Sequence, residues 1–140
     1  MAAEPNNYLG RWRLVPELCL YESGDPPRSG LYVIEADSEA VHISISWETD
    51  EGTHHVEFSG PTDGTKVPAQ APGVTHLSLT HVDSVTLDSS AYADNREIAY
   101  ARRCASQSGD LLATVQEVSR DDGSTFRNFQ VYRRDTSSTP

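Results

Sequence analysis

Short segments in which apolar and polar residues alternate recur along most of this chain, and they constrain its fold more than any other feature. A period of two residues is typical of a β-strand with one buried face, and helical periodicity is absent outside one short segment. The residues between these segments are rich in Gly, Asn and Asp, which tolerate turn conformations. We predict strands over residues 8–15, 30–35, 41–48, 53–59, 75–82, 84–91, 96–104, 111–119 and 125–134. A further short strand over 65–67 and a helical turn over 16–21 complete the pattern.

The predicted strands are short and joined by tight turns, which indicates antiparallel pairing without helical crossovers. A meander of this kind closes most easily into a barrel, because closure removes the exposed edges. We therefore predict an all-β fold, an antiparallel up-and-down β-barrel of eight to ten strands. The 140 residues suit a single domain over 1–140, with flexible tails at 1–7 and 135–140.

One hairpin can be assigned in register. If Glu48 pairs with Thr53 across the turn, the two strands place their large apolar side chains on one face. A slip of one residue would move every side chain to the opposite face, so this separation supports the pairing. The pairs that follow on the face expected to point inward are Ile45 with Val56, Ile43 with Phe58 and Trp47 with His54.

The net charge of -10 argues against nucleic acid or an anionic membrane surface as a partner, because both repel an acidic protein. No apolar stretch approaches the roughly 20 residues that span a bilayer. The N-terminal residues also lack the basic and apolar regions of a secretory signal. We expect a cytoplasmic protein, either a monomer or a homodimer.

Side chains that could suggest a metal site occur together in the same hairpin, namely His42, His54, His55 and Glu57. Neighbouring residues of a strand point to opposite faces, so His54 and His55 cannot bind one ion. His42, His55 and Glu57 share one face of the hairpin, but that face is expected to be solvated, which favours surface histidines. We therefore predict no metal and no cofactor. No nucleophile elbow, P-loop or zinc-protease motif is present, so we assign no catalytic residue.

Trp12 lies two residues after Gly10, early in the first predicted strand. At this place in a barrel an indole commonly closes one end and is covered by an arginine from the last strand, an interaction worth about 0.5–2 kcal/mol. Arg133 and Arg134 are in position to supply that arginine. We interpret Trp12 as a structural residue of the closed end.

The segment Leu9–Val15 resembles the opening Gly-x-Trp-(Lys/Arg)-Leu-Val that cytosolic fatty-acid-binding proteins share with bacterial lipocalin-like proteins. The segment Asp63–Pro68 is similar to a short Asp-Gly-Lys-x-x-Pro segment midway in the bacterial group. Residues 77–103 and 126–134 resemble that group in spacing, so the likeness covers nearly the whole chain. It implies the calycin superfamily, with an up-and-down barrel of eight to ten strands around an internal cavity.

In fatty-acid binders the last strand carries Arg-x-Tyr, and both side chains hold the ligand carboxylate. The resemblance places Gln130 and Tyr132 at these two positions. A neutral amide cannot form the charge-assisted bidentate bond that a carboxylate favours, which disfavours a free fatty acid. The two-helix lid of those proteins is also missing, because only residues 16–29 connect the first two strands. We therefore expect a neutral or weakly polar ligand, or one that enters through a more open mouth.

Strand alternation turns a mostly apolar set of side chains with a few polar groups towards the barrel interior, a composition typical of small-molecule sites. We predict that the protein binds a small, mostly apolar ligand there without catalysis. The alternatives are a cyclase- or isomerase-type enzyme in the same cavity, and a surface-interaction domain whose barrel is filled by side chains. The predicted ligand-binding residues are Trp47, His54, Val56, Phe58, Leu77, Leu79, Tyr100, Asn128, Gln130 and Tyr132.

Overall fold

The structure is a computed structural model that describes residues 6–71 and 73–135, with the backbone alone at positions 70 and 71. Within these residues there are eleven β-strands and one short 3₁₀ helix, Pro16–Leu18. No helix in the described part of the chain is long and apolar enough to cross a bilayer. The strands are β1 (Gly10–Leu14), β2 (Leu20–Tyr21), β3 (Ser29–Ala36), β4 (Val41–Thr49), β5 (Gly52–Gly60), β6 (Val67–Ala71), β7 (Val74–Asp83), β8 (Thr86–Ala93), β9 (Arg96–Ala105), β10 (Leu111–Ser119) and β11 (Thr125–Arg134).

Ten strands of the described residues form one antiparallel sheet that curls into a nearly closed barrel, in the order β5-β4-β3-β1-β11-β10-β9-β8-β7-β6. β2 pairs with β11 beyond the end of β1. The two ends of the sheet meet where β5 contacts β7, and Gly60 lies against Val67 and Leu77 there. The predicted all-β fold and the up-and-down barrel are confirmed.

The helical turn predicted over 16–21 is shorter than expected. The 3₁₀ helix ends at Leu18, and the two residues of β2 form a strand instead. Their backbone pairs with β11, with Leu20 opposite Phe129. Because that pairing depends on a strand near the other end of the chain, the local sequence carries no signal for it.

The short strand predicted over 65–67 lies further along the chain. β6 begins at Val67, includes Pro68 and pairs with β7. Proline cannot donate a hydrogen bond to a neighbouring strand, so it is found where one edge of the strand is free. β6 meets this condition because it is the terminal strand of the sheet.

The predicted register of the β4–β5 hairpin is confirmed. Glu48 pairs with Thr53, Ile43 pairs with Phe58, and the other predicted pairs match as well. Ile43 is buried inside the barrel, whereas its neighbour His42 is exposed on the outer face. The separation of apolar from polar side chains therefore specifies the pairing, as a period of two requires.

Trp12 closes one end of the barrel and is completely buried. The guanidinium of Arg134 on β11 lies 4.2 Å from the centre of the indole ring, whereas Arg133 is exposed. The stacking predicted for the last strand is confirmed. Gly10 has a φ of +131°, and a Cβ at this position would collide with the Arg134 guanidinium. The other fully buried large side chains of the same core are Tyr8, Ile34, Ile43, Leu79, Leu87 and Leu112.

Residues predicted to lie in flexible tails contact the barrel where the structure describes them. The carbonyl oxygen of Asn7 accepts a hydrogen bond from Arg134 Nη2 at 2.7 Å. The backbone N–H of Asp135 donates to a carbonyl oxygen of β1 at 2.8 Å. Residues 1–5 and 136–140 of the predicted tails lie outside the described residues.

We expect Trp12→Ala to lower the free energy of unfolding by about 3–5 kcal/mol, the usual cost of truncating a buried aromatic side chain. Urea unfolding followed by circular dichroism measures the change. Leu20→Ala is the control, because Leu20 is 71% exposed. Its loss should cost less than about 0.5 kcal/mol. A cost below about 1 kcal/mol for Trp12→Ala would contradict its role at the closed end.

Candidate functional site

The half of the barrel beyond the Trp12 core encloses a cavity of about 730 Å³. Asp25 and Pro27 from the β2–β3 connection, together with Thr49 from the end of β4, line its open end. The barrel is therefore not filled by its own side chains, in contrast to the surface-domain alternative. The large apolar side chains that line the cavity include Leu14, Ile45, Trp47, Val56, Phe58 and Leu77.

Eight of the ten predicted ligand-binding residues line this cavity, and their role in binding stays a prediction. They are Trp47, Val56, Phe58, Leu77, Tyr100, Asn128, Gln130 and Tyr132. The other two lie outside the lining. Leu79 is fully buried in the closed core. His54 stacks on Trp47 with 5.3 Å between the ring centres, and its Nε2 lies 2.9 Å from Thr49 Oγ1.

Tyr100 borders the cavity, but its hydroxyl group faces the outside of the barrel. The hydroxyl donates to Asp88 Oδ2 at 3.0 Å, and Asp88 also pairs with Arg102. Residues alternate along β9 and Arg103 is buried on the inner face, so Tyr100 and Arg102 share the outer face. The inward orientation predicted for Tyr100 therefore does not hold for its hydroxyl.

Arg103 on β9 was not among the predicted residues, although it is the most informative side chain of the cavity. It lines the cavity and is 2% exposed. Its Nε donates to the hydroxyl oxygen of Tyr32. The guanidinium lies 5.7 Å from the centre of the Tyr32 ring and 6.0 Å from that of Phe58. Its Nη1 is buried and has no hydrogen-bond partner among the described residues.

The charge of Arg103 is also unbalanced. Among the described residues that line the cavity, the acidic ones are Asp25 and Glu57, and both are exposed. A buried cation without a partner is costly, and such groups are normally paired. Arg103 therefore places a positive charge, and an N–H group without a partner among the described residues, beside an otherwise mostly apolar cavity.

The sequence of β9 holds a signal for Arg103. Ala99, Ala101 and Arg103 alternate on one face, so two small side chains leave space beside a single cation. If Tyr100 were on the inner face, alternation along the strand would place Arg103 on the outer face. The pairing with β8 decides which of the two sets of side chains on β9 points inward, because Leu87 lies opposite Arg103 and is fully buried.

Gln130 joins three other polar side chains that line the cavity. Its Oε1 accepts hydrogen bonds from Thr114 Oγ1 at 3.1 Å and from the Tyr132 hydroxyl at 2.9 Å. Its Nε2 donates to the hydroxyl oxygen of Tyr21. Burial raises the pKa of Tyr132 well above its usual range, and it also raises the pKa of Tyr21. These groups satisfy each other, so the network needs no ion from a ligand.

Residues 22–28, termed the mouth segment here, run along the open end from β11 to β4. Asn128 Oδ1 on β11 accepts hydrogen bonds from the backbone N–H of Glu22 at 3.0 Å and of the next residue at 3.4 Å. At the other end, the backbone N–H of Arg28 donates to the carbonyl oxygen of Glu48 at 2.9 Å. Asn128 therefore anchors the mouth segment, in addition to lining the cavity.

Two of the three histidines considered as metal ligands, His42 and His55, form pairs with acids. His42 Nε2 lies 2.8 Å from Asp37 Oδ2, and His55 Nε2 lies 2.8 Å from Glu57 Oε2. Hydrogen bonds from His42 and from two backbone N–H groups lower the pKa of Asp37 to about 2. Across residues 6–71 and 73–135, no group of three or more His, Cys, Asp or Glu residues is arranged to hold a metal ion.

No protein-family model matches this sequence, and no curated protein matches it. Solved structures do match. Secretory abundant heat soluble protein 4 from Ramazzottius varieornatus is similar with a TM-score of 0.65 at 15% sequence identity, over 96% of this chain and 99% of the other. The siderocalin Ex-FABP is similar with a TM-score of 0.54 at 11% identity, over 96% of this chain and 74% of the other. The chain has a calycin-type fold. The resemblance carried by Leu9–Val15 is thus confirmed at the level of the fold.

The buried hydroxyl of Tyr132 should make the stability of this calycin-type barrel fall at alkaline pH. Burial raises its pKa in the folded protein, so the unfolded chain loses this proton first, near pH 10. The contribution of Tyr132 to the free energy of unfolding is therefore constant up to about pH 10. Above that pH it falls by up to about 1.4 kcal/mol per pH unit.

Urea unfolding between about pH 8 and about pH 11 measures this dependence in the original protein and in Tyr132→Phe. The variant should lose the part of the alkaline slope that comes from Tyr132. Equal slopes in the two proteins would show that the hydroxyl is not buried as described.

Proposed function

We propose that this protein binds a small amphipathic anion, such as a carboxylic acid with an apolar chain, inside the calycin-type barrel and without catalysis. The observation that carries the proposal is the buried Arg103 guanidinium, whose Nη1 has no partner among the described residues. The acid group of a ligand would supply that partner. The apolar chain would lie against the apolar walls of the same cavity.

Two hydrogen-bond donors are available for the acid group. Arg103 offers the N–H of Nη1, and Tyr32 offers its hydroxyl proton because its oxygen accepts the bond from Arg103 Nε. Charge-assisted bonds of this kind are about twice as strong as neutral ones. The Tyr132 ring packs edge-on against Tyr32, with 5.2 Å between the ring centres, and restricts its movement.

The proposed site for the acid group, at Arg103, differs from the one that the resemblance to fatty-acid binders implies, which lies on the last strand. Gln130 stands in the place of their arginine, and its amide is already bonded to Tyr21, Thr114 and Tyr132. The cation of this cavity belongs to β9 instead. We therefore favour an acidic ligand over the neutral or weakly polar one that Gln130 alone indicated.

The size and lining of the cavity support an apolar chain. Its volume of about 730 Å³ falls within the roughly 300–1,000 Å³ that is usual for small-molecule sites. The siderocalin Ex-FABP, which is similar in fold, functions through dual ligand specificities. We propose that this chain uses the interior of its barrel for a ligand as well.

Arg103→Met should weaken the binding of dodecanoic acid at least about tenfold, because losing one partner of a buried charge pair costs roughly 2–5 kcal/mol. Dodecanol lacks the charge and should bind both proteins alike. Titration calorimetry measures both affinities. Without ligand, the variant should be at least as stable as the original protein, because an unpaired buried charge has been removed.

Arg102→Met is the matched control, since this neighbour on β9 faces the outside and pairs with Asp88. It should keep the affinity for dodecanoic acid. An equal loss in both variants, or no binding of dodecanoic acid by the original protein, would overturn the proposal. Native mass spectrometry, compared with the denatured mass, shows whether the purified protein already carries a small acid.

A further inference from the structure

The loops at the open end of the barrel are acidic. Because strand directions alternate, the mouth segment and the β4–β5, β8–β9 and β10–β11 turns lie at this same end. Their described residues carry seven carboxylates and two guanidiniums, a difference of five negative charges. The carboxylates are Glu22, Asp25, Asp50, Glu51, Asp94, Asp121 and Asp122, and the guanidiniums are Arg28 and Arg120. We term these carboxylates the acidic rim.

The charge inside the cavity has the opposite sign. Arg103 is 2% exposed, and its Nη1 has no hydrogen-bond partner among the described residues. Asp25 belongs to the acidic rim and also lines the cavity. A cleft with low-dielectric walls concentrates the field of such charges. The cavity therefore has a positive charge near its inner end and negative charges at its open end.

An extended ligand is long enough to meet both regions. Tyr32 accepts the hydrogen bond from Arg103 and pairs with Ile45 of β4. Asp50 follows Ile45 by five residues, which at about 3.3 Å per residue corresponds to about 17 Å along the strand. An extended dodecyl chain has a similar length.

We infer that the ligand carries an acid at its inner end and a basic, positively charged group at its outer end. This inference rests on the proposed function, because it takes the acid to be at Arg103. A positive outer group is attracted by the acidic rim, whereas a second carboxylate there is repelled by it. The acidic rim thus determines specificity through the charge at the outer end of the ligand.

Three acids of equal chain length test the inference: dodecanoic acid, ω-aminododecanoic acid and dodecanedioic acid. They share the inner carboxylate and differ at the outer end, which is neutral, positive or negative. Titration calorimetry at low salt compares their binding to the original protein and to the double variant Asp25→Asn, Glu51→Gln. Both side chains are exposed, so the variant should fold like the original protein.

The double variant should bind ω-aminododecanoic acid roughly two- to fivefold more weakly and dodecanedioic acid more tightly by a similar factor. The affinity for dodecanoic acid should stay nearly constant. The two changes should vanish in about 1 M salt, because exposed charges are then screened.

Glu35→Gln, Glu39→Gln is the matched control, because it removes the same charge beside the β3–β4 turn at the other end of the barrel. It should leave all three affinities unchanged. If the three acids respond alike to the rim variant while dodecanoic acid still depends on Arg103, the inference is overturned and the proposed function stands. If dodecanoic acid binds without needing Arg103, the proposed function fails and the inference fails with it.

Discussion

The contact between Trp12 and Arg134 holds the barrel together at the place where its first and last strands meet. The two residues lie directly opposite each other in the β1–β11 ladder, and the guanidinium covers the indole. The same guanidinium binds carbonyl oxygens of Asn7 and Leu9, so the segment before β1 is fixed as well. Removal of this pair would leave the closed core without its largest side chain.

The inward orientation of Arg134 at this closed end determines which other side chains of β11 point into the barrel. Tyr132, Gln130 and Asn128 follow Arg134 on the inner face at steps of two residues. Tyr132 lies at the buried edge of the core, Gln130 belongs to the polar network, and Asn128 anchors the mouth segment. On β9, which forms another part of the wall, Ala105 is buried in the closed core, and Arg103 lies two residues before it on the same inner face. The cation of the cavity therefore lies at its deep end, where low dielectric strengthens an ionic interaction.

Alternation in the sequence predicts the face of a residue only where one face of the strand is clearly apolar, and it does not predict the height of the residue in the barrel. The β4–β5 hairpin separates apolar from polar residues, so its register could be predicted. β9 carries polar and apolar residues on both faces, so the phase of Tyr100 and Arg103 is decided by pairing with β8. Leu79 was correctly assigned to the inner face, but its height places it in the core and not on the cavity wall.

Pairing of β1 with β11 makes the barrel depend on contacts between the two ends of the chain. The ladders from β3 to β5 and from β6 to β11 join strands that are adjacent in sequence and close only short loops. Closing β1 onto β11 orders nearly the whole chain, which is entropically costly and slows folding. During synthesis, the apolar side chains of the closed core stay exposed to solvent until β11 has left the ribosome. A chain in which β11 is not yet paired therefore exposes apolar surface, which favours aggregation over folding.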